Sequence, residues 1–281
     1  MTRVAAFINI NRQEAIDLAG DLIEWIEAAG HSCFLMGDSA KAINREDIAI
    51  GEEEIDSSFD LAVALGGDGS ILYVVRKVGD FGVPVMGINH GRMGYLSEVE
   101  PELAQQRIQA FFEGNHEIEE RMRLEIVVDG LAGPLRGLNE AVIEKVDTGR
   151  TVRLSLDINN DFFTSYATDG LIIATPTGST AYSLSARGPI VDPTHHALLL
   201  TPVAPHSLFD RAVVLSPSDN LQIQVLPDCE ASVALDGYIV AQLEVGQSLT
   251  CKAAEKPARM VSFGGNSFHR VLKEKFGLSD R

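Results

Sequence analysis

The 281-residue chain predicts two unlike halves, an α/β N-terminal domain built on a parallel sheet and a β-rich C-terminal domain. Two observations carry this. Runs that are apolar throughout, Val4 to Ile8 and Leu61 to Leu65, alternate with segments of helical period, and strands apolar on both faces belong inside a sheet covered by helices. Beyond about residue 118 the helical period fades, and β-type runs punctuated by Asp129-Gly130, Asn159-Asn160 and Asp236-Gly237 take over.

Val4 to Ile8 reads as the first strand, and Ala15, Ala19, Leu22, Ile23 and Ile26 follow it at helical spacing until Gly30 supplies a stop. Cys33 to Met36 is the second strand. After an acidic stretch containing Glu52, Glu53 and Glu54, most simply a solvated face, Leu61 to Leu65 is the third. Ser70 to Val78 starts a helix directly after a glycine loop, Val83 to Ile88 returns as a buried strand, and Leu103 to Phe112 reads as a further helix. The later β runs are Leu124 to Val128, Val142 to Val146, Val152 to Ile158 and Leu171 to Ala174. From Asn266 the tail residues Phe268, Val271, Leu272 and Phe276 regain helical spacing. The expected division is residues 1–117, 118–260, and a segment 261–281 that packs back on the first domain.

Hydrophobic residues make up 45% and charged residues 22%, the balance of a chain that buries a core. Forty acidic against 23 basic side chains give a formal charge of -17, which repels polyanions at long range. Nucleic-acid polymers and acidic membrane faces are therefore not expected partners. A small anion remains compatible, because local amides, cations or a metal outweigh the distant field once it is docked. Cys33, Cys229 and Cys251 are far apart and have no metal-ligand spacing, which suits a reducing cytoplasm, and neither signal nor anchor is expected.

Gly66-Gly67-Asp68-Gly69-Ser70 sits between a buried strand and a helix start, where backbone N–H groups and the helix dipole form an anion site. It is neither a Walker A loop nor a dinucleotide fingerprint. Asp68 is the unusual member. An acid among phosphates is repelled unless it holds a cation or accepts a proton from an attacking hydroxyl, as a kinase base does. The competing reading is a tight strand-to-helix turn with Asp68 or Ser70 as an ordinary cap.

Thr175 to Ser185 places seven hydroxyls in eleven residues after an apolar run. Hydroxyls bind ribose, phosphate and amide groups without adding charge, and small Ala181 leaves room for a flat ring. A helix start capped by Ser179 or Thr180 is the plainer reading, and the two are compatible. Asn139-Glu140 and Asp169-Gly170 each precede a strand. Either is simple turn chemistry, or a carboxylate set for vicinal ribose hydroxyls and an Asn set for a purine edge.

Together the Gly-Gly-Asp-Gly-Ser loop, Asn139-Glu140, Asp169-Gly170-Leu171 and Thr-Pro-Thr-Gly-Ser-Thr-Ala-Tyr-Ser-Leu-Ser, in this order and spacing, closely resemble the bacterial NAD kinase family over essentially the whole chain. The hydroxyl segment is the most specific part, because lipid kinases and 6-phosphofructokinases share the glycine loop alone. The resemblance implies a Gly-Gly-Asp-Gly kinase fold and phosphorylation of NAD at the adenosine 2'-hydroxyl. The implied donor is ATP, or polyphosphate, with Mg2+ or another divalent metal carried on it rather than held by side chains. It implies Asp68 as proton acceptor, with Gly69, Leu72, Tyr95 and Leu96 lining the same pocket, and Asn139 and Glu140 as ribose and adenine contacts. Asp169 and Ser185 would then face the other half of the dinucleotide, and Thr177, Thr180, Ala181 and Tyr182 would cradle a base. Ala167, Ser183, Leu184, Ala204 and Asp236 fall at further binding positions. Arg150 stands where members often carry a cation, in competition with a solvated surface arginine. A homodimer or homotetramer is also implied.

The chain departs from the family pattern at Tyr73 and Ala167, where many members are basic, at Arg187 in place of a Gly, and at Tyr238 where Gln is common. Donor preference is what these changes touch, and a module that binds NAD or NADP without transfer is the non-enzymatic alternative. A lipid or sugar kinase is the other. His195, His196 and His206 lack a convergent third ligand and predict no zinc site.

Overall fold

The computed structural model describes residues 1–89, 94–147, 149–207, 209–264 and 268–278. The chain divides into two compact units, Met1–Glu120 together with Ala258–Arg281, and Arg121–Pro257.

The first unit is organised by a seven-stranded sheet in the order Ala49–Ile50, Ser32–Met36, Arg3–Ile8, Leu61–Leu65, Val85–Ile88, Ala258–Ser262, Glu117–Arg121. The pairs from Ala49–Ile50 through to Ala258–Ser262 are parallel. Successive strands build outward one way from Arg3–Ile8 and then, from Leu61–Leu65, the other way. The order therefore reverses between these two neighbours, and in such sheets the crevice at their carboxyl ends is where ligands bind. The apolar stripe of the helix Gln13–Ala28, namely Ala15, Ala19, Leu22, Ile23 and Ile26, packs on Val4, Ala6, Ile8, Val63 and Leu65. Opposite, the helix Asp68–Val78 lies close over the sheet, where a Cβ at Gly87 would overlap the side chain of Ile71.

Several boundaries differ from the sequence expectation, among them the run expected at Val142 to Val146, which is the strand Glu140–Lys145 and so takes in Glu140. The helix after the glycine loop begins at Asp68 rather than Ser70, with an acid in the first turn where the helix dipole favours it. The run from Val83 narrows to Val85–Ile88 because Pro84 has no N–H to give a ladder. Pro101–Leu103 forms a short 3-10 turn before the helix Ala104–Phe112. The expected tail start, Asn266, lies outside the described residues, and the helix spans Phe268–Lys275. Its Lys275 Nζ stands 5.4 Å from the centre of the Tyr95 ring.

The second unit contains two six-stranded antiparallel sheets. One runs Asp161–Thr168, Val152–Ile158, Leu221–Val225, Ser248–Ala253, Leu124–Val128, Leu135–Gly137, and the other Val213–Leu215, Leu198–Val203, Gly170–Ala174, Glu140–Lys145, Ala231–Leu235, Tyr238–Leu243. Their inner faces share one core, in which Leu124, Ile126, Leu154 and Ile223 meet Ile143, Leu171, Ile173 and Val233. On the outer face of the second sheet, Val142, Ile172, Ala174 and Leu199 pack with Ala186 and Val191 of the hydroxyl segment and its continuation. Gly170–Ala174 is buried along its whole length because both of its faces are covered. Two hairpins turn on residues with left-handed backbone, Asn159-Asn160 and Asp236-Gly237, the pairing that a two-residue turn between twisted strands requires.

Candidate active site

In the first unit the glycine loop leaves the carboxyl end of Leu61–Leu65 beside Asn9, at the point where the strand order reverses. A Cβ at Gly66 would collide with the Ser70 side chain and come within 3.2 Å of the Asn9 Cβ, so this residue is glycine for packing. At Gly69 a Cβ would meet no protein atom within 4 Å, and the residue is exposed. Asp68 is half-buried, and its carboxylate accepts from the Tyr95 N–H at 2.8 Å and the Leu96 N–H at 3.3 Å. A side chain at Gly94 would fall on that carboxylate, so Gly94 is what lets the 94–96 backbone close around Asp68. Burial, then Asp68, pushes the Tyr95 phenol up. Leu72, one helical turn after Asp68, is half-buried, and Leu96 is buried. Tyr73 packs edge-on to Phe7 and has the Arg76 and Lys77 side chains over its ring at 5.7 and 5.3 Å, so cations surround the position where a basic residue was expected.

In the second unit three distant segments meet. Thr175 donates through Oγ1 to the Leu138 carbonyl at 2.6 Å and through its N–H to the Asn139 carbonyl at 2.9 Å. A Cβ at Gly178 would overlap the Asn139 backbone. Asp236 accepts from the N–H groups of Leu138, Asn139 and Glu140 at 2.8, 2.7 and 3.2 Å. Glu140 is buried, and its Oε2 has no hydrogen-bond partner. Burial, and then the neighbouring Asp236 carboxylate, push its carboxyl up to about 7, while the Tyr182 amide pulls the other way.

The density of hydroxyls divides by role. Thr175, Ser179 and Ser183 are buried and spent on the scaffold: Ser179 bridges both backbone groups of Val191 at 3.1 Å, and Ser183 meets Thr201 at 3.1 Å. Thr180 bonds back to the Thr177 carbonyl at 3.3 Å. Thr177 Oγ1 is buried without a partner, and Tyr182 and Ser185 are exposed. Ala181 and Leu184 are half-buried between them.

Asp169 forms an ion pair with Lys145 at 2.6 Å, and the two residues also share a backbone hydrogen bond. Burial first, then the charges of Glu144 and Asp169, raise the phenol of the exposed Tyr182. Lys145 was not picked out by sequence reasoning. Nothing marks it there, since its partner lies 24 residues away, in the bend between Asp161–Thr168 and Gly170–Ala174. Ala167 lies in Asp161–Thr168, where its carbonyl accepts from the His206 N–H. Ala204 and Arg187 adopt left-handed backbone, Arg150 is exposed in the connection after Glu140–Lys145, and Tyr238 is exposed at the start of its strand. Among the described residues no group of three or more His, Cys, Asp or Glu side chains is gathered to hold a metal ion, and no helix is long and apolar enough to cross a membrane.

A Rossmann-ordered sheet with an acid at its switch point, joined in sequence to a β unit bearing buried polar clusters, defines a two-domain nucleotide kinase of the Gly-Gly-Asp-Gly type. The family profiles described as ATP-NAD kinase N-terminal domain and ATP-NAD kinase C-terminal domain match residues 4–116 and 138–263. The NAD kinase of Symbiobacterium thermophilum is 37% identical over 279 residues, covering 98% of this chain and 99% of that protein. That of Desulforamulus reducens is 34% identical over 285 residues, covering 98% and 97%. Among solved structures, yeast NADH kinase complexed with NADH superposes with a TM-score of 0.90 at 25% identity, over 100% of this chain and 89% of that one. An Archaeoglobus fulgidus NAD kinase in complex with ATP superposes with a TM-score of 0.75 at 22% identity, over 100% of both. The chain belongs to the NAD kinase family. Membership sets aside the lipid or sugar kinase as a reading of the glycine loop.

Proposed function

We propose that this chain transfers the terminal phosphoryl group of ATP to the 2'-hydroxyl of the adenosine ribose of NAD, giving NADP and ADP. The observation that carries the reading is Asp68: a half-buried carboxylate at a helix N-terminus, anchored by the Tyr95 and Leu96 amides, beside a Gly69 whose open side admits a ligand. Asp68 takes the proton of the 2'-hydroxyl as that oxygen bonds to the γ-phosphorus, and the bond from the γ-phosphorus to the β,γ-bridging oxygen breaks with its electron pair leaving on ADP. Phosphoryl transfer asks little covalent chemistry of a protein, so positioning and charge neutralisation carry the rate. The divalent metal enters with the donor as its complex and neutralises phosphate charge.

In the second unit, Asn139 and Glu140 contact the adenosine ribose and adenine, supported by the unpartnered Oε2 of Glu140. Thr177, Thr180, Ala181 and Tyr182 cradle a base, supported by the unpartnered Thr177 hydroxyl and the exposed Tyr182 ring. Asp169 and Ser185 face the rest of the dinucleotide, with Lys145 balancing Asp169. The free cysteines, with burial pushing Cys33 and Cys251 up to about 12, suit a reducing cytoplasm. We assign the working form as a homodimer or homotetramer.

The test is NADP formation from magnesium, ATP and NAD by the wild-type chain and by Asp68→Asn. The wild type is expected to turn over. The variant should lose roughly 10²–10⁴-fold in kcat while its unfolding temperature stays close to wild type. Near-normal NADP formation by Asp68→Asn would remove Asp68 as the base.

A further inference from the structure

By resemblance Asp236 belongs among the ligand contacts, yet its carboxylate is turned into the protein. Oδ2 accepts from the Leu138 N–H, and Oδ1 from the N–H groups of Asn139 and Glu140. Its own N–H returns a bond of 3.0 Å to the Glu140 carbonyl. The side chain is buried, on a backbone with φ 49 that only the tight turn explains. Gly137 makes the approach possible, since a Cβ there would sit 3.1 Å from Asp236 Oδ1 and overlap Leu235. The ladder between Ala231–Leu235 and Glu140–Lys145 has its last pair at Leu235 and Ala141, so Asp236 extends it with a side chain where strand pairing stops. The carbonyls of Leu138 and Asn139 are taken by Thr175. With its backbone committed, this segment offers a ligand the Asn139 and Glu140 side chains.

We propose that Asp236 is a positioning residue for NAD: it fixes the backbone under Asn139 and Glu140 and, as the second acid of a buried pair, sets the charge that Glu140 presents to the dinucleotide. The proposal rests on the reading of Asn139-Glu140 as the acceptor contact. Two acids this close and this buried do not both ionise freely. Asp236 is paid for its charge by three amides, whereas Glu140 keeps one oxygen unpartnered. Glu140 is therefore the member that holds the proton near neutrality, where it donates to a ribose or purine acceptor. The groups that act on it are Asp236 at the hairpin turn and the amide of Tyr182 at the start of the short helix Tyr182–Ser185, as the upward shift to about 7 reflects.

Asp236→Asn keeps the shape and loses the charge, and Asp236→Ala removes the clamp. In both, hydrogen exchange at the amides of residues 138–140 should quicken, and KM for NAD should rise about tenfold or more while kcat changes by less than about threefold. The wild-type KM for NAD should climb as pH rises through about 7. That inflection should move to lower pH in Asp236→Asn and vanish in Glu140→Gln. Unchanged exchange at residues 138–140 overturns the proposal whether or not the protein turns over. So does a fall in kcat with KM unmoved, or a wild-type inflection retained in Asp236→Asn. Absence of NADP formation by the wild type counts against the activity assigned above, while the exchange experiment still decides the clamp.

Discussion

Asp68 and Asp236 are both aspartates held by backbone amides, and their difference is where the remaining carboxylate capacity points. Asp68 spends two amide bonds and stays half-buried, while Asp236 spends both oxygens on three amides and is buried. Lys145 completes the residue-scale picture by answering Asp169 where Ala167 supplies no charge. Lys145→Met should cost less than about 1 kcal/mol of stability, since the pair is partly exposed, yet should raise KM for NAD roughly three- to tenfold by releasing Asp169. Thermal unfolding and initial rates on one preparation separate the two effects. Asp68 was legible in the sequence because an acid inside a glycine loop contradicts its phosphate setting. Lys145 and the clamp of Asp236 were not, because their partners lie 24 and 96–98 residues away and are brought in only by strand pairing.

The elements that could be read in advance are those whose burial is decided locally. Leu61–Leu65 is apolar at every position and is a strand over those same residues, and the helix Gln13–Ala28 buries the five residues that its spacing singled out. The hydroxyl segment was legible as unusual but not in its division of labour. Whether Ser179 or Ser183 faces a ligand or the scaffold depends on Val191 and Thr201, which no local pattern marks. The segment is a fitted plug on the outer face of a sheet, and Gly178 is its tightest seat. Gly178→Ala puts a methyl group into the Asn139 backbone, which cannot swing aside as a side chain would. It should destabilise the protein by about 1–3 kcal/mol and raise KM for NAD, both measurable by denaturant unfolding and steady-state rates. Unchanged stability would mean that the segment does not seat on Asn139.

For the whole molecule, charge and connectivity set the terms. The formal charge of -17 opposes a polyphosphate chain more than a compact ATP–metal complex, and salt screens that opposition over about 10 Å at 0.1 M. At low ionic strength ATP should be the better donor, and the ratio of kcat/KM values should narrow as salt is added. Global stability should carry the mark of Glu140. Its folded carboxyl titrates at about 7 against an ordinary 4.5, so the native state binds the extra proton between these values. Stability then falls as pH rises from about 4.5 to about 7, by up to ~3 kcal/mol, and Glu140→Gln should flatten that slope in denaturant titrations at fixed pH steps. Connectivity has a consequence for how the protein is made. The strand Ala258–Ser262 belongs between Val85–Ile88 and Glu117–Arg121, but it is translated only after the whole second unit. On the ribosome the parallel sheet must wait with an open slot while Arg121–Pro257 folds behind it. A chain cut after Pro257 should therefore contain every strand of the β unit yet leave the parallel sheet without its partner for Val85–Ile88, which limits when the growing polypeptide first becomes able to bind a nucleotide.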